Sequence, residues 1–260
     1  MLFHKTVLRA ANFLFNAVVI LLLLSTVSYS AYALWDDNRI YADAGDVQAD
    51  MIKIKPEIAE EAEEEGADFS ELLKINPDVC GWVTMDGTQI DYPILQGKSN
   101  FTYINTNVYG EFALAGSIFL DSRNNREFRD TYSLLYGHHM ADHKMFGDLD
   151  LYKDAEFFEE NTTGTLILPD RSYKLDVISC LIVGADEDNI FEPTIWKDYN
   201  ISRFLKWARK NSVLIHEDIL TELEQTKEPF QILSLSTCSY EFTDARTIVL
   251  TVMRPYASEE

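Results

Sequence analysis

"FQILSLSTCSYEFTDARTIVLTVM", residues 230–253, holds two runs rich in Ile, Leu, Val and Thr on either side of a short polar connection. Residues of this kind at this density read as β-strands. Antiparallel pairing of the two runs makes residues 239–245 the connection between them. Cys238 then ends one strand, Arg246 begins the next, and the two meet across the ladder. A plainer reading has Arg246 paired with Glu241 or Asp244 at the surface, a common and weak arrangement.

The same texture extends upstream. Further strands read at "GWVTMD" (81–86), "QIDYPILQ" (89–96), "GSIFLD" (116–121), "TYSLLYGH" (131–138), "GTLILP" (164–169) and "SYKLDVISCLIVGA" (172–185). Turn residues punctuate them at Asp86-Gly87, Gly97, Asn124-Asn125 and Pro169-Asp170. Two helical patterns interrupt the strands, at 147–160 and 198–211. In the second, Ile201, Phe204, Leu205 and Ala208 share one face. The fold class is mainly β with helical additions, a barrel or a sandwich.

Ahead of the strands the chain has a different character. Lys5 and Arg9 precede residues 10–35, which carry no charge, and Asp36 and Asp37 close the run. A helix of that length crosses a hydrocarbon core about 30 Å thick. Basic residues before it direct a cytoplasmic N-terminus (1–9), with the remainder outside. Ala31-Tyr32-Ala33 also resembles a signal-peptide cleavage site, although the apolar run is long for one. Residues 36–69 read as an acidic helical spacer, with an acidic block at 60–65 and a helix start at Ser70. Residues 70–260 remain for the functional domain.

Composition narrows the function classes. The 260 residues are 47% hydrophobic and 12% aromatic, enough for a filled core. A formal charge of −21 excludes nucleic acid as the natural partner, since phosphate binding relies on Lys and Arg. For a chain placed outside the cytoplasm, three cysteines leave at least one unpaired. Cys80 and Cys180 lie in apolar runs and read as small buried hydrophobes; Cys238 ends a strand in polar company.

A cysteine in water has a pKa of about 8.5 and is only roughly 3% thiolate at neutral pH. A nucleophilic cysteine therefore needs a base or cation nearby. His138, His139 and His143 cluster in "YGHHMADHKMFGD", at the point where the strand "SLLY" stops. His139 and His143 have the i, i+4 spacing of metal ligands on a helix, but no Cys or carboxylate partner stands at zinc spacing. His4 and His216 lie in unremarkable surroundings.

These segments together resemble the class B sortases, cysteine transpeptidases of Gram-positive bacteria. "SLSTC" is similar to the family's T-L-x-T-C, with Ser234 in place of the first Thr. "YGHHM" lies upstream, and "NPDVCGWVTMDGTQIDYPILQGKSNFTYINTNVYGEFALAGSIFLDSRN" resembles the first half of the catalytic domain. The likeness spans about residues 70–256. It implies an eight-stranded barrel with N-terminal helices and a helix inserted between strands six and seven. It implies that Cys238 attacks the Thr carbonyl of a sorting-signal peptide and forms a thioester. His138 would shuttle the proton, and Arg246 would hold the substrate backbone and the oxyanion. Ser236, Asn100 and Ile104 match positions bordering the substrate groove. The resemblance implies no cofactor, no metal and no calcium site.

The implied partners are a secreted protein's sorting signal and an amine acceptor, either a peptidoglycan precursor or a pilin lysine. Two rival classes remain: a cysteine peptidase using water, and a non-enzymatic wall-binding β-domain. Papain-like enzymes place the His after the Cys; here it comes before.

Overall fold

The computed structural model describes residues 2–58, 67–196 and 201–256. The acidic block at 60–65 lies outside the described residues. Two compact units divide the chain, Met1–Asp43 and Ala44–Glu260.

The described residues of the first unit belong to α1 (Leu2–Ile52), whose stretch from Val7 is long and apolar enough to cross a membrane, with Leu14, Leu21 and Leu24 exposed to the surroundings.

In the second unit, the end of α1 packs Met51 against Phe69, Trp82 and Leu95. α2 (Ser70–Ile75) follows and starts at Ser70 as expected; Phe69 is its N-cap residue, and the Asp68 carboxylate accepts from the Ser70 N–H at 2.8 Å. Then come β1 (Val79–Met85), β2 (Asp91–Leu95), β3 (Ile118–Leu120) and β4 (Tyr132–Tyr136). A 3-10 turn at Gly147–Lys153 leads into α3 (Ala155–Glu160). The helical pattern at 147–160 is thus two pieces, broken at Asp154. That residue is extended, and its side chain accepts from the Phe157 N–H to cap α3. β5 (Thr163–Ile167) and β6 (Ser172–Gly184) complete this half.

An insertion then carries α4 (Asp188–Phe191), a 3-10 turn, α5 (Ile201–Asn211), β7 (Ser212–Ile215) and α6 (Glu217–Gln225). The chain returns through β8 (Gln231–Cys238) and β9 (Ala245–Pro255).

The strands run β1-β2-β3-β4-β8-β9-β6, and β5 bridges β6 back to β1, closing a barrel of eight strands. β7 is an added ninth strand on β6, which the sequence pattern did not single out. Two neighbouring pairs are parallel, β2–β3 and β4–β8, and the rest are antiparallel. α5 sits between the sixth and seventh barrel strands, as the resemblance implied.

The insertion exists to cover apolar surface. Ile201, Phe204, Leu205 and Ala208 of α5 join Leu220, Leu223 and Trp196 over Tyr132, Leu134, Ile232, Ile248 and Leu250 of the barrel wall. Each such fully buried side chain contributes about 1.5–3 kcal/mol through the hydrophobic effect. With apolar groups on both faces, β8 is buried from Ile232 to Thr237 and emerges only at Cys238.

Candidate active site

The pairing of β4, β8 and β9 assembles the site. β8 and β9 are antiparallel, and in their register Cys238 stands directly opposite Arg246. Directly opposed residues share a face with Cα atoms about 4.5–5.5 Å apart. β4 runs parallel to β8 with Tyr136 beside Ser236. Both strands therefore end at the same rim, where β9 begins.

Two bonds continue the β4–β8 contact past the end of β4. The Gly137 N–H donates to the Ser236 carbonyl at 3.1 Å, and the Thr237 hydroxyl donates to the Gly137 carbonyl at 3.0 Å. β4 ends at Tyr136, and His138 follows two residues later at the rim where Cys238 ends β8. Gly137 is required at this crossing, because a Cβ there would fall 2.5 Å from Ile118 and 2.7 Å from Phe146.

The three cysteines differ sharply in setting. Cys80 is 4% exposed and Cys180 0%, and burial pushes both thiols up to about 12. Cys238 is exposed and free. Arg246 is half-buried; its guanidinium donates to the Ala245 carbonyl at 2.8 Å, and among the described residues it has no ion-pair partner. The surface pairing with Glu241 or Asp244 is not what forms: Glu241 is bound by Lys153 instead, at 2.5 Å. Among the described residues the other guanidinium N–H groups of Arg246 make no hydrogen bond.

His138 is oriented from behind. Its Nε2 lies 2.7 Å from the Ile104 carbonyl oxygen. A carbonyl only accepts, so Nε2 carries a proton, and Nδ1 is the nitrogen left for proton exchange. The Ile104 carbonyl is itself placed by Gly116, whose φ of +59° lets the chain pass close behind it. A Cβ on Gly116 would fall 2.3 Å from the Ile104 oxygen and 2.7 Å from that of Tyr103. Gly116→Ala is therefore expected to displace the carbonyl that aims His138. Turnover should fall by about tenfold or more, with a stability loss of about 1–3 kcal/mol. Steady-state kinetics beside a thermal melt check both, and unchanged kcat in a destabilised variant would reject the link to His138.

The other expected site residues are distributed as follows. Ser236 is buried at 2% exposure, two residues before Cys238 and so on the same face. Ile104 is half-buried in the loop that touches His138. Asn100 is engaged at both ends: its amide donates to Asp121 at 2.9 Å and its oxygen accepts from the Ser122 N–H at 2.7 Å. Asp121, wholly buried, also binds Arg123 and the Tyr136 hydroxyl. Burial opposes its charge, but the bonds from Arg123 and Asn100 prevail and hold the carboxyl below the usual range.

His139 and His143 do not face one another. His139 Nε2 bonds Asp150 at 3.0 Å and His143 Nδ1 bonds Asp148 at 2.6 Å. The segment is not helical, since Asp142, His143 and Met145 all have positive φ. The i, i+4 spacing thus carries no ligand geometry. His216 precedes α6 and stacks on Phe158, with ring centroids 4.3 Å apart.

A scan against protein-family models finds no match. Among curated proteins, Sortase B of Staphylococcus aureus is 33% identical over 184 residues, covering 70% of this chain and 72% of its own. The chain belongs to the class B sortases. Sortase B of Listeria monocytogenes is 35% identical over 178 residues, covering 67% of this chain and 68% of its own. Solved class B sortases share the barrel. A Streptococcus pyogenes class B sortase involved in pilus biogenesis is 37% identical with a TM-score of 0.65, matching 72% of this chain and 98% of the other. The substrate complex of Staphylococcus aureus sortase B is 30% identical with a TM-score of 0.61, over 73% and 85% of the two chains. As a class B sortase the protein is a cysteine transpeptidase, one that anchors or polymerises surface proteins.

Proposed function

We propose that this sortase cleaves the C-terminal sorting signal of secreted surface proteins after a Thr and transfers the acyl group to an amine of a peptidoglycan precursor. The observation that carries this reading is the cross-strand pair of an exposed thiol and a guanidinium that has no carboxylate partner among the described residues.

The chemistry follows from those groups. The Cys238 thiolate adds to the Thr carbonyl carbon, and the carbonyl oxygen becomes an oxyanion beside the Arg246 fork. The C–N bond then breaks, the leaving amine takes a proton from His138 Nδ1, and a thioester remains. An acceptor amine attacks the thioester, gives its proton to His138, and expels Cys238 as thiolate. One amide replaces another, so no external energy source is needed.

Ser236, Ile104 and Asn100 border the groove in this reading. Phe101 and Leu114 in the loop carrying Ile104, and Phe242 after Cys238, are exposed apolar groups suited to peptide side chains. Residues 10–35 of α1 serve as a single-pass anchor in the cell membrane, with Lys5 and Arg9 inside and the catalytic unit on the extracellular face.

A pilin lysine is the alternative acceptor, favoured by the likeness to the Streptococcus pyogenes sortase involved in pilus biogenesis. The test incubates the full chain in detergent micelles with a library of sorting-signal peptides, with and without triglycine or a lysine-containing peptide. Mass spectrometry is expected to find a thioester on Cys238 and an amine-dependent ligation product. Cleavage without ligation to any amine would favour hydrolysis over transfer.

A further inference from the structure

Residues 239–244 lie between the nucleophile and the strand of Arg246, and two of their side chains, Tyr240 and Glu241, are linked to one carboxylate through His139 and Lys153. The Ser239 N–H donates to the Ala245 carbonyl at 3.0 Å, and Ala245 donates to Phe242 at 3.2 Å, closing the backbone of the tip. Asp244 turns the chain with φ +60°, and its carbonyl accepts from the Ala185 N–H at 3.0 Å. None of these bonds reaches the segment after β4.

The side chains do reach it. The Tyr240 hydroxyl lies 3.3 Å from His139 Nδ1, with the two rings edge to face at 5.0 Å. The Glu241 carboxylate binds Lys153 at 2.5 Å. Both partners converge on Asp150, His139 through Nε2 at 3.0 Å and Lys153 through Nζ at 2.8 Å. A third donor, the Thr247 hydroxyl, binds the same carboxylate at 2.8 Å. Thr247 is the residue after Arg246, so Asp150 grips both the tip of the hairpin and the strand that carries the guanidinium.

The His139 bonds are mutually consistent. Nε2 faces a carboxylate, which only accepts, so it carries a proton, while Nδ1 meets the Tyr240 hydroxyl, which can donate or accept. Burial works against a charged Asp150, but the bonds from His139, Lys153 and Thr247 outweigh it and hold the carboxyl down at about 2. The carboxylate is therefore ionised over the working pH range and keeps all three donors.

We propose that Asp150 is a positioning residue that, acting through His139 and Lys153, fixes the hairpin tip and with it the placement of Arg246 relative to Cys238. This rests on the reading of Cys238 as nucleophile and Arg246 as its oxyanion partner. Asp150 touches neither of them. Its effect is on geometry, where a displacement of about 1 Å can cost on the order of a hundredfold in rate.

The test measures kcat and KM of the full chain in detergent micelles with a quenched fluorescent sorting-signal peptide. Asp150→Asn and the loop variant Tyr240→Ala/Glu241→Ala are each expected to lower kcat/KM by about tenfold. Their combination should lose no more than Asp150→Asn alone, about tenfold, because the ties of Tyr240 and Glu241 run through Asp150. Losses that multiply to about a hundredfold would overturn the proposal, since independent sites add in free energy. The loop variant changes only exposed side chains, so it stands even if Asp150→Asn fails to fold; parent-like turnover in it would also overturn the proposal. Cys238→Ala is assayed alongside. Retained turnover there would reject the nucleophile assignment itself, a failure distinct from that of the tie.

Discussion

Replacing Cys238 with alanine is expected to abolish both peptide cleavage and ligation, a loss on the order of 10⁵-fold or more, as for removal of a covalent nucleophile elsewhere. Of the three thiols, it is the one at the surface. Cys80 sits in β1 with its thiol against the Ile94 carbonyl at 3.5 Å, and Cys180 is sealed at 0% exposure in β6. Burial raises both to about 12, so near neutral pH each is a thiol with neither charge nor access. Iodoacetamide applied to the folded parent should add one adduct, on Cys238, and none to Cys238→Ala. Turnover surviving in that variant, with label on Cys80 or Cys180, would move the nucleophile into the barrel wall and sink the assignment.

His138→Ala is expected to lower kcat/KM by about 10²–10⁴-fold, the usual contribution of a positioned acid–base group. The leaving amine cannot depart as an anion at neutral pH, so a proton must arrive as the C–N bond breaks. The Ile104 carbonyl occupies Nε2 of this ring at 2.7 Å and turns the other nitrogen outward. His139, the adjacent imidazole, is committed to Asp150 and Tyr240 and does not substitute. Alkylation of Cys238 by iodoacetamide should continue in the variant, because that reaction needs the thiol but no protonated leaving group. Parent-like peptide turnover in His138→Ala would show that the proton comes from elsewhere.

The eight barrel strands were legible because each is a short run of Val, Ile, Leu, Tyr and Thr bounded by turn residues. Their recognition needs only neighbours in sequence. α5 was legible for the same reason, from one apolar face at helical spacing. The strand β7 was not, because Ser212–Ile215 follows α5 without a break and is held by pairing with Ser179 and Cys180. The helix start at Ser70 was legible as well, from polar residues just ahead of Leu72 and Leu73. The spacing of His139 and His143 fits one helix face, but positive φ at Asp142 and His143 rules the helix out, and at a non-glycine residue positive φ is only weakly encoded by residue type.

The site divides along the same line. Cys238 and Arg246 belong to one hairpin, so their spacing in sequence was enough to bring them face to face. The order and identity of the segments around them sufficed to relate the chain to a transpeptidase family. His138 reaches the rim through a parallel pairing of β4 with β8, across a separation of 100 residues in the bond from Thr237 to Gly137. Nothing local encodes such a contact, since its cost is the closure of a long loop and its gain comes only when the barrel shuts. The roles of Gly116 behind Ile104 and of Asp150 beneath the hairpin are of that second kind. The sequence by itself determined the strands, the apolar N-terminal segment and the lone surface thiol, because these rest on local pattern. The aim of His138, the absence of a carboxylate on Arg246 among the described residues, and the ties on the hairpin were decided by tertiary structure, because each depends on which distant groups the closed barrel brings within hydrogen-bonding distance.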